Sequence, residues 1–141
     1  MGLNERFRYA CEHGDLKAVK ENLAQGAKIH TWDDYGLRRA AKNEHFEIAK
    51  FLLENGANIH ADNDKALRSA ALNGRLKTVK FLVDNGANVH ANNDQALRWA
   101  EGEGHTEIVD YLKQVVKHGV KKPVEKTIKI PVMKIRIRKK D

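Results

Sequence analysis

A chain of 141 residues, 41% apolar and 32% charged with two prolines, has material for one folded domain and is too apolar for a disordered one. No 18-residue apolar run is present to span a bilayer, the opening MGLNERFRYACEHGD carries no apolar leader, and Arg6 stands where a myristoylation signal needs Ser or Thr; an intracellular protein, cytoplasmic or nuclear, is expected. The net charge of +7 comes from one end: residues 113–141 hold 11 Lys+Arg against Glu125 and Asp141, whereas residues 1–112 hold 15 basic and 17 acidic residues. Cys11 is the single cysteine, which excludes an internal disulfide and a cysteine-built zinc site, agrees with a reducing compartment and reads as a small core residue.

Along the chain, residue types return every 30 positions through about residue 118. Arg8, Arg38, Arg68 and Arg98 fall in register, as do Ala10, Ala40, Ala70 and Ala100, the pairs Gly26-Ala27, Gly56-Ala57 and Gly86-Ala87, and His30, His60 and His90. The units are placed at 1–30, 31–60, 61–90 and 91–118. Residues 61–90 show the pattern best. Asp64, with Asp34, Asp94 and Asn4 in register, sits where a helix N-cap is wanted, so the first helix is expected to begin near Lys65. Leu67, Ala70 and Ala71 give it a stripe of small apolar residues. Asn73-Gly74 is the turn; Leu76, Val79, Phe81, Leu82 and Val83 supply the larger side chains of a second helix. Asn85-Gly86 ends it, because glycine adopts the left-handed conformation that releases the last carbonyls, and Gly86→Val is expected to destabilise strongly. A unit this short cannot close a core alone, so the units must stack. The fold class is all-α, a solenoid of four helix-turn-helix units.

The last unit departs from the pattern as an end cap would: Val116-Lys117 replaces the Gly-Ala pair, and Lys113, Gln114 and Lys117 offer a polar outer face. Asn4, Glu5, Arg8, Glu12 and Lys20 are expected to do the same at the other end. After Gly119 the sequence becomes VKKPVEKTIKIPVMKIRIRKKD, a basic tail over 119–141. Ile128, Ile130, Ile135 and Ile137 alternate with Lys129, Lys134, Arg136 and Arg138, a period of two that suits a strand, interrupted by Pro131. Four readings stay open. The tail is a strand folding onto the stack or adding to another chain's edge; a basic address, since KIRIRKK is similar to a nuclear-import cluster; a charge-driven contact with nucleic acid or anionic lipid through Lys134, Arg136, Arg138, Lys139 and Lys140; or a solvated terminus. Without an aromatic residue for a base to stack on, nucleic-acid binding there would be sequence-nonspecific.

The stretch NGRLKTVKFLVDNGANVHA, with EHFEIAKFLLENGANIHA before it and EGHTEIVDYL after it, resembles the G-H-L-E-I-V-x-L-L-L-x-x-G-A-D-V-N-A pattern of ankyrin repeats. The resemblance implies a stack of antiparallel helix pairs that binds a protein partner through its concave face. Two departures matter. The common repeat has 33 residues and a T-P-L-H start; here Lys65-Ala66-Leu67-Arg68 and Gln95-Ala96-Leu97-Arg98 occupy that place, and the loop before them is shorter. Projecting fingers are therefore expected to be reduced and contact to shift towards the first helices. The 30-residue form with A-L-R resembles the ankyrin families of giant DNA viruses of amoebae, which implies a host protein as partner. Some such proteins recruit ubiquitin ligases through a C-terminal F-box-like segment, which this tail does not resemble.

The arginine series can hold an acidic partner or a phosphate backbone. Because Asp34, Asp64 and Asp94 precede Arg38, Arg68 and Arg98 by four positions, local ion pairs are the favoured reading. The three loop histidines cannot share a metal: equivalent atoms of stacked units lie about 8–10 Å apart, whereas two zinc-bound nitrogens approach within about 4 Å. They are read as loop hydrogen-bonding groups, and His45 and His105 likewise. No phosphate loop, H-E-x-x-H or nucleophile elbow is present, so neither catalysis nor a cofactor is expected. Exposed first-helix positions that vary between units are better contact candidates: Tyr9, Arg39, Ser69 and Trp99 after the arginine, Glu12, Lys42, Leu72 and Gly102 three residues on, of which Lys42 and Leu72 are favoured, and Trp32 and Tyr35 at the same edge. Tyr, Trp and Arg are the types enriched in interface hot spots.

Overall fold

The computed structural model describes residues 1–120; the readings placed on the tail, with Lys134, Arg136, Arg138, Lys139 and Lys140, lie outside the described residues. Eight helices occur among those described: α1 (Leu3–His13), α2 (Leu16–Ala24), α3 (Thr31–Lys42), α4 (Phe46–Glu54), α5 (Ala61–Leu72), α6 (Leu76–Asp84), α7 (Ala91–Glu103) and α8 (Thr106–His118). The first helices α1, α3, α5 and α7 pack one on the next, and each second helix lies against the first helix of its own unit. Between units, as over residues 25–30, the chain makes turns and no hairpin strands.

The small-residue stripe places the closest approach. Ala40, Ala70 and Ala100 are each fully buried, where a methyl group lets neighbouring helices close together. Val19, Leu52, Val79, Leu82, Ile108 and Leu112 fill the space behind them. The first interface uses different sizes for the same volume: Phe7 and Cys11 replace the Leu and Ala found at Leu37 and Ala41, and Gly36 opposite them replaces Ala66. A Cβ at Gly36 would lie 2.8 Å from Cys11 Sγ, so the glycine is a packing requirement of its larger neighbours.

The unit boundaries hold a correction. Asp34, Asp64 and Asp94 are not N-caps. Trp32-Asp33-Asp34, Asp62-Asn63-Asp64 and Asn92-Asn93-Asp94 each form a left-handed turn, with φ between 53° and 60°, and the right-handed helix begins after it. The aspartate instead ties the unit together. Asp34 accepts from His30 Nδ1 at 2.9 Å and from the backbone N–H of Asn58 at 2.8 Å; Asp64 does the same with His60 and Asn88, and Asn4 Oδ1 takes the N–H of Lys28. The histidines are therefore hydrogen-bonding groups of the loop.

The arginine pairing is corrected too. Arg38 donates Nε to the Asp33 carbonyl and Nη2 to that of Trp32; Arg68 binds the carbonyls of Asn63 and Asp62, and Arg98 those of Asn93 and Asn92. The guanidinium fork clamps the left-handed turn, where an ion pair with the aspartate was expected. At the N-terminal end, Arg8 is buried against α3, Glu12 reaches across to Arg39, and Lys20 lies over Phe51 of α4. These three groups contact the next unit, whereas a polar outer face is expected of them from the sequence; Arg6, Tyr9, His13, Asp15 and Ala18 line a separate cavity on α1 and α2. At the other end Lys113 pairs with Glu101 at 3.6 Å, the position where internal units bury Ala41 and Ala71.

Candidate partner-binding surface

Glu12 organises the junction of α1 and α3. Its carboxylate accepts from Tyr35 Oη at 2.9 Å and from Arg39 Nη2 at 2.7 Å. Its backbone carbonyl takes Asn43 Nδ2 and His45 Nε2. The Arg39 hydrogen bond, then that of Tyr35, holds the Glu12 carboxyl below the ordinary carboxylate range. Burial first, and donation to Glu12 second, pushes the Tyr35 phenol up. Two candidate side chains are thus fixed in direction by one acid of the preceding unit.

Trp32 stands beside them. Its ring meets Tyr35 edge-on with centroids 5.6 Å apart, and the Arg8 guanidinium lies 3.7 Å from its centroid. Yet Trp32 remains 64% exposed and Tyr9 55% exposed, Tyr9 resting on the His13 ring at 3.9 Å. With Met1, Glu5, Arg8, Glu12 and Tyr35 they line an open cleft of about 230 Å³. The fold brings Tyr9, Trp32, Tyr35 and Arg39 to one place.

The other candidates are spread along the stack. Ser69 is 8% exposed and offers little area. Lys42 and Leu72 are half-buried, and their carbonyls receive Arg75 Nε and His105 Nε2 of the following unit. Trp99 is half-buried, 5.8 Å from the Arg68 guanidinium, two units away from Trp32. Sequence reasoning places Glu12 at a varying contact position without its partners Tyr35 and Arg39, and it misses Arg8 as an exception to its series. The available signal was that no Asp/Asn triplet precedes Arg8, which leaves that arginine without the carbonyls its counterparts bind. Among the described residues, no group of three or more His, Cys, Asp or Glu is placed to hold a metal ion, and no helix is long and apolar enough to cross a membrane.

A stack of helix pairs that presents one continuous side-chain surface along its first-helix layer defines the class: a helical repeat protein. The family model for ankyrin repeats (three copies) matches residues 7–93, and the chain belongs to the ankyrin-repeat family. Ankyrin repeats are generally protein–protein interaction modules, a non-enzymatic fold. No curated protein matches the chain.

Proposed function

We propose that the chain is a non-catalytic binding module that engages a protein partner through its first-helix surface, centred on α1 and α3. The observation that carries this reading is the pair of exposed aromatic rings, Tyr9 and Trp32, beside Tyr35 and Arg39, which Glu12 holds in place. Large side chains fixed in direction lose little conformational freedom on binding, the condition under which contact area converts to affinity. A partner of host origin is supported by the viral resemblance, and an intracellular setting by the single cysteine.

A second reading has its own support in the 11 Lys+Arg of residues 113–141: a nuclear or nucleic-acid-associated protein in which the tail binds phosphate and the repeats act as scaffold. Salt separates the two. Neutralising six or more phosphates loses orders of magnitude in affinity between low and physiological salt, and an aromatic groove does not. The test is capture from cell lysate at both salt concentrations with the full chain, a chain ending at Gly119, and the full chain carrying Tyr9→Ala with Trp32→Ala. Protein partners that survive salt and tail removal but are lost with the aromatic pair support the groove. Salt-labile nucleic acid lost with the tail supports the second reading and overturns the first.

A further inference from the structure

The α1–α3 cleft departs from the repeat in two ways that point to one kind of occupant. Trp32 holds φ 54° at a position where the other units have Asp62 and Asn92. Asp and Asn tolerate the left-handed region; a bulky aromatic is an outlier there. Such strain at a side chain that is 64% exposed and outside the buried core points to a role other than packing. Arg8 departs in the complementary sense. With no left-handed turn before α1, the carbonyls clamped by Arg38, Arg68 and Arg98 have no counterpart, and its guanidinium, 9% exposed, donates Nη1 to Thr31 Oγ1 at 3.2 Å. Among the described residues no carboxylate lies within ion-pair distance of it. Both acids of the cleft are engaged elsewhere: Glu12 by Tyr35 and Arg39, Glu5 by the backbone N–H of Gly2 at 2.6 Å. A recessed cation with N–H groups to spare thus lies against the Trp32 ring, in a cleft that Tyr9 also lines and whose anions are already paired.

We propose that this cleft recognises an acidic side chain, Asp or Glu beside an apolar or aromatic residue, on a protein segment laid across α1 and α3. Arg8 donates to the carboxylate, and Tyr9 and Trp32 pack the apolar neighbour. The proposal rests on the first-helix face being the partner-binding surface and narrows it to the partner's chemistry. A protein side chain fits better than a phosphate backbone because the guanidinium is recessed in a cleft of about 230 Å³. A polyanion, in contrast, is held by rows of exposed charges.

The experiment is random-peptide display against the full chain, followed by fluorescence anisotropy of the selected peptides on wild type and variants. Selected peptides should be enriched in Asp or Glu next to Leu, Phe or Trp. Arg8→Gln and Trp32→Asn should each weaken them by about tenfold or more, and Lys77→Glu on α6 by less than about twofold. Trp32→Asn should keep or raise the wild-type urea midpoint, because asparagine suits the left-handed turn; a lowered midpoint would assign Trp32 to the fold and overturn the proposal. Basic peptides, uncharged peptides or no peptides would also overturn it, as would a single-stranded oligonucleotide that competes more strongly than any selected peptide. Binding that falls with Lys42→Glu or Lys65→Glu but not with Arg8→Gln or Trp32→Asn would sink the cleft and leave the first-helix surface standing. Insensitivity to all four would sink both.

Discussion

Where one residue breaks the repeat, its neighbour in the next unit breaks it in compensation. A Cβ at Gly14 or Gly74 would lie 2.8 Å from Cε1 of His45 or His105. Position 44 is the exception: Glu44 sits at φ 61°, the next unit supplies Arg75 in place of histidine, and the two approach to 3.5 Å. Gly74→Glu alone should therefore cost about 2 kcal/mol or more through the clash and the positive φ, and adding His105→Arg should recover about half of that. Strictly additive losses in urea denaturation would refute the pairing. Gly86→Val is different, since nothing lies within 4 Å of a Cβ there. Only the strain of φ 97° opposes it, about 1–2 kcal/mol, less than its place in the sequence pattern suggests. Glu12 contributes to the acid limb of stability. Its folded pKa lies below its unfolded value, so its contribution is present above the ordinary carboxylate range and is lost as pH falls through the folded pKa. Glu12→Gln should lower the urea midpoint near neutrality and flatten its fall below about pH 5; parallel profiles would mean that the Arg39 and Tyr35 bonds contribute nothing to folding.

The left-handed turn is the element that defines this version of the repeat. An ordinary residue pays about 1–2 kcal/mol for that conformation, and each turn holds three in succession. The cost falls because eight of the nine residues, all but Trp32, are Asp or Asn, whose short polar side chains suit it, and because the arginine fork binds two of the carbonyls that the turn exposes. Arg68→Lys should cost about 1–3 kcal/mol, since an ammonium cannot reach two carbonyls as a planar fork does. Arg98→Lys should cost less, because Arg98 is exposed and water can replace its bonds, whereas Arg68 is 6% exposed. Equal losses in urea midpoint would show that the fork is not what holds the turn. The triplets were legible as Asp/Asn-rich boundaries, yet an aspartate ahead of a helix is first of all a cap signal. Left-handed residues ordinarily occur singly, so three in a row were not anticipated, and the arginines were assigned to the wrong oxygens, the carboxylates instead of the carbonyls.

Across the molecule, the stack and the candidate positions were legible and the contacts that join them were not, for one physical reason. Every unit solves the same packing problem, so Ala40, Ala70 and Ala100 repeat because the helix spacing repeats. The contacts that build the cleft run between units at places where repetition fails: Glu12 to Arg39, Tyr35 to Glu12, Arg8 to Trp32. A periodic pattern locates the candidate positions and leaves their partners undetermined. The same linear construction governs how the molecule comes apart. In a stack, each unit is stabilised by its neighbours only, so a defect in an inner unit weakens two interfaces and one at the end weakens one. Leu67 in α5 is fully buried between neighbours on both sides, whereas its counterpart Leu97 in α7 is half-buried at the face that Glu101 and Lys113 close. Leu67→Ala should therefore cost about 3 kcal/mol, and amide hydrogen exchange should quicken throughout α3 to α8. Leu97→Ala should cost about 1 kcal/mol and quicken exchange in α7 and α8 while α3 to α6 keep their protection. Acceleration spread evenly over all helices in the Leu97 variant would mean that the stack melts as one cooperative body, and that stability at the α1–α3 cleft depends on the far end of the molecule.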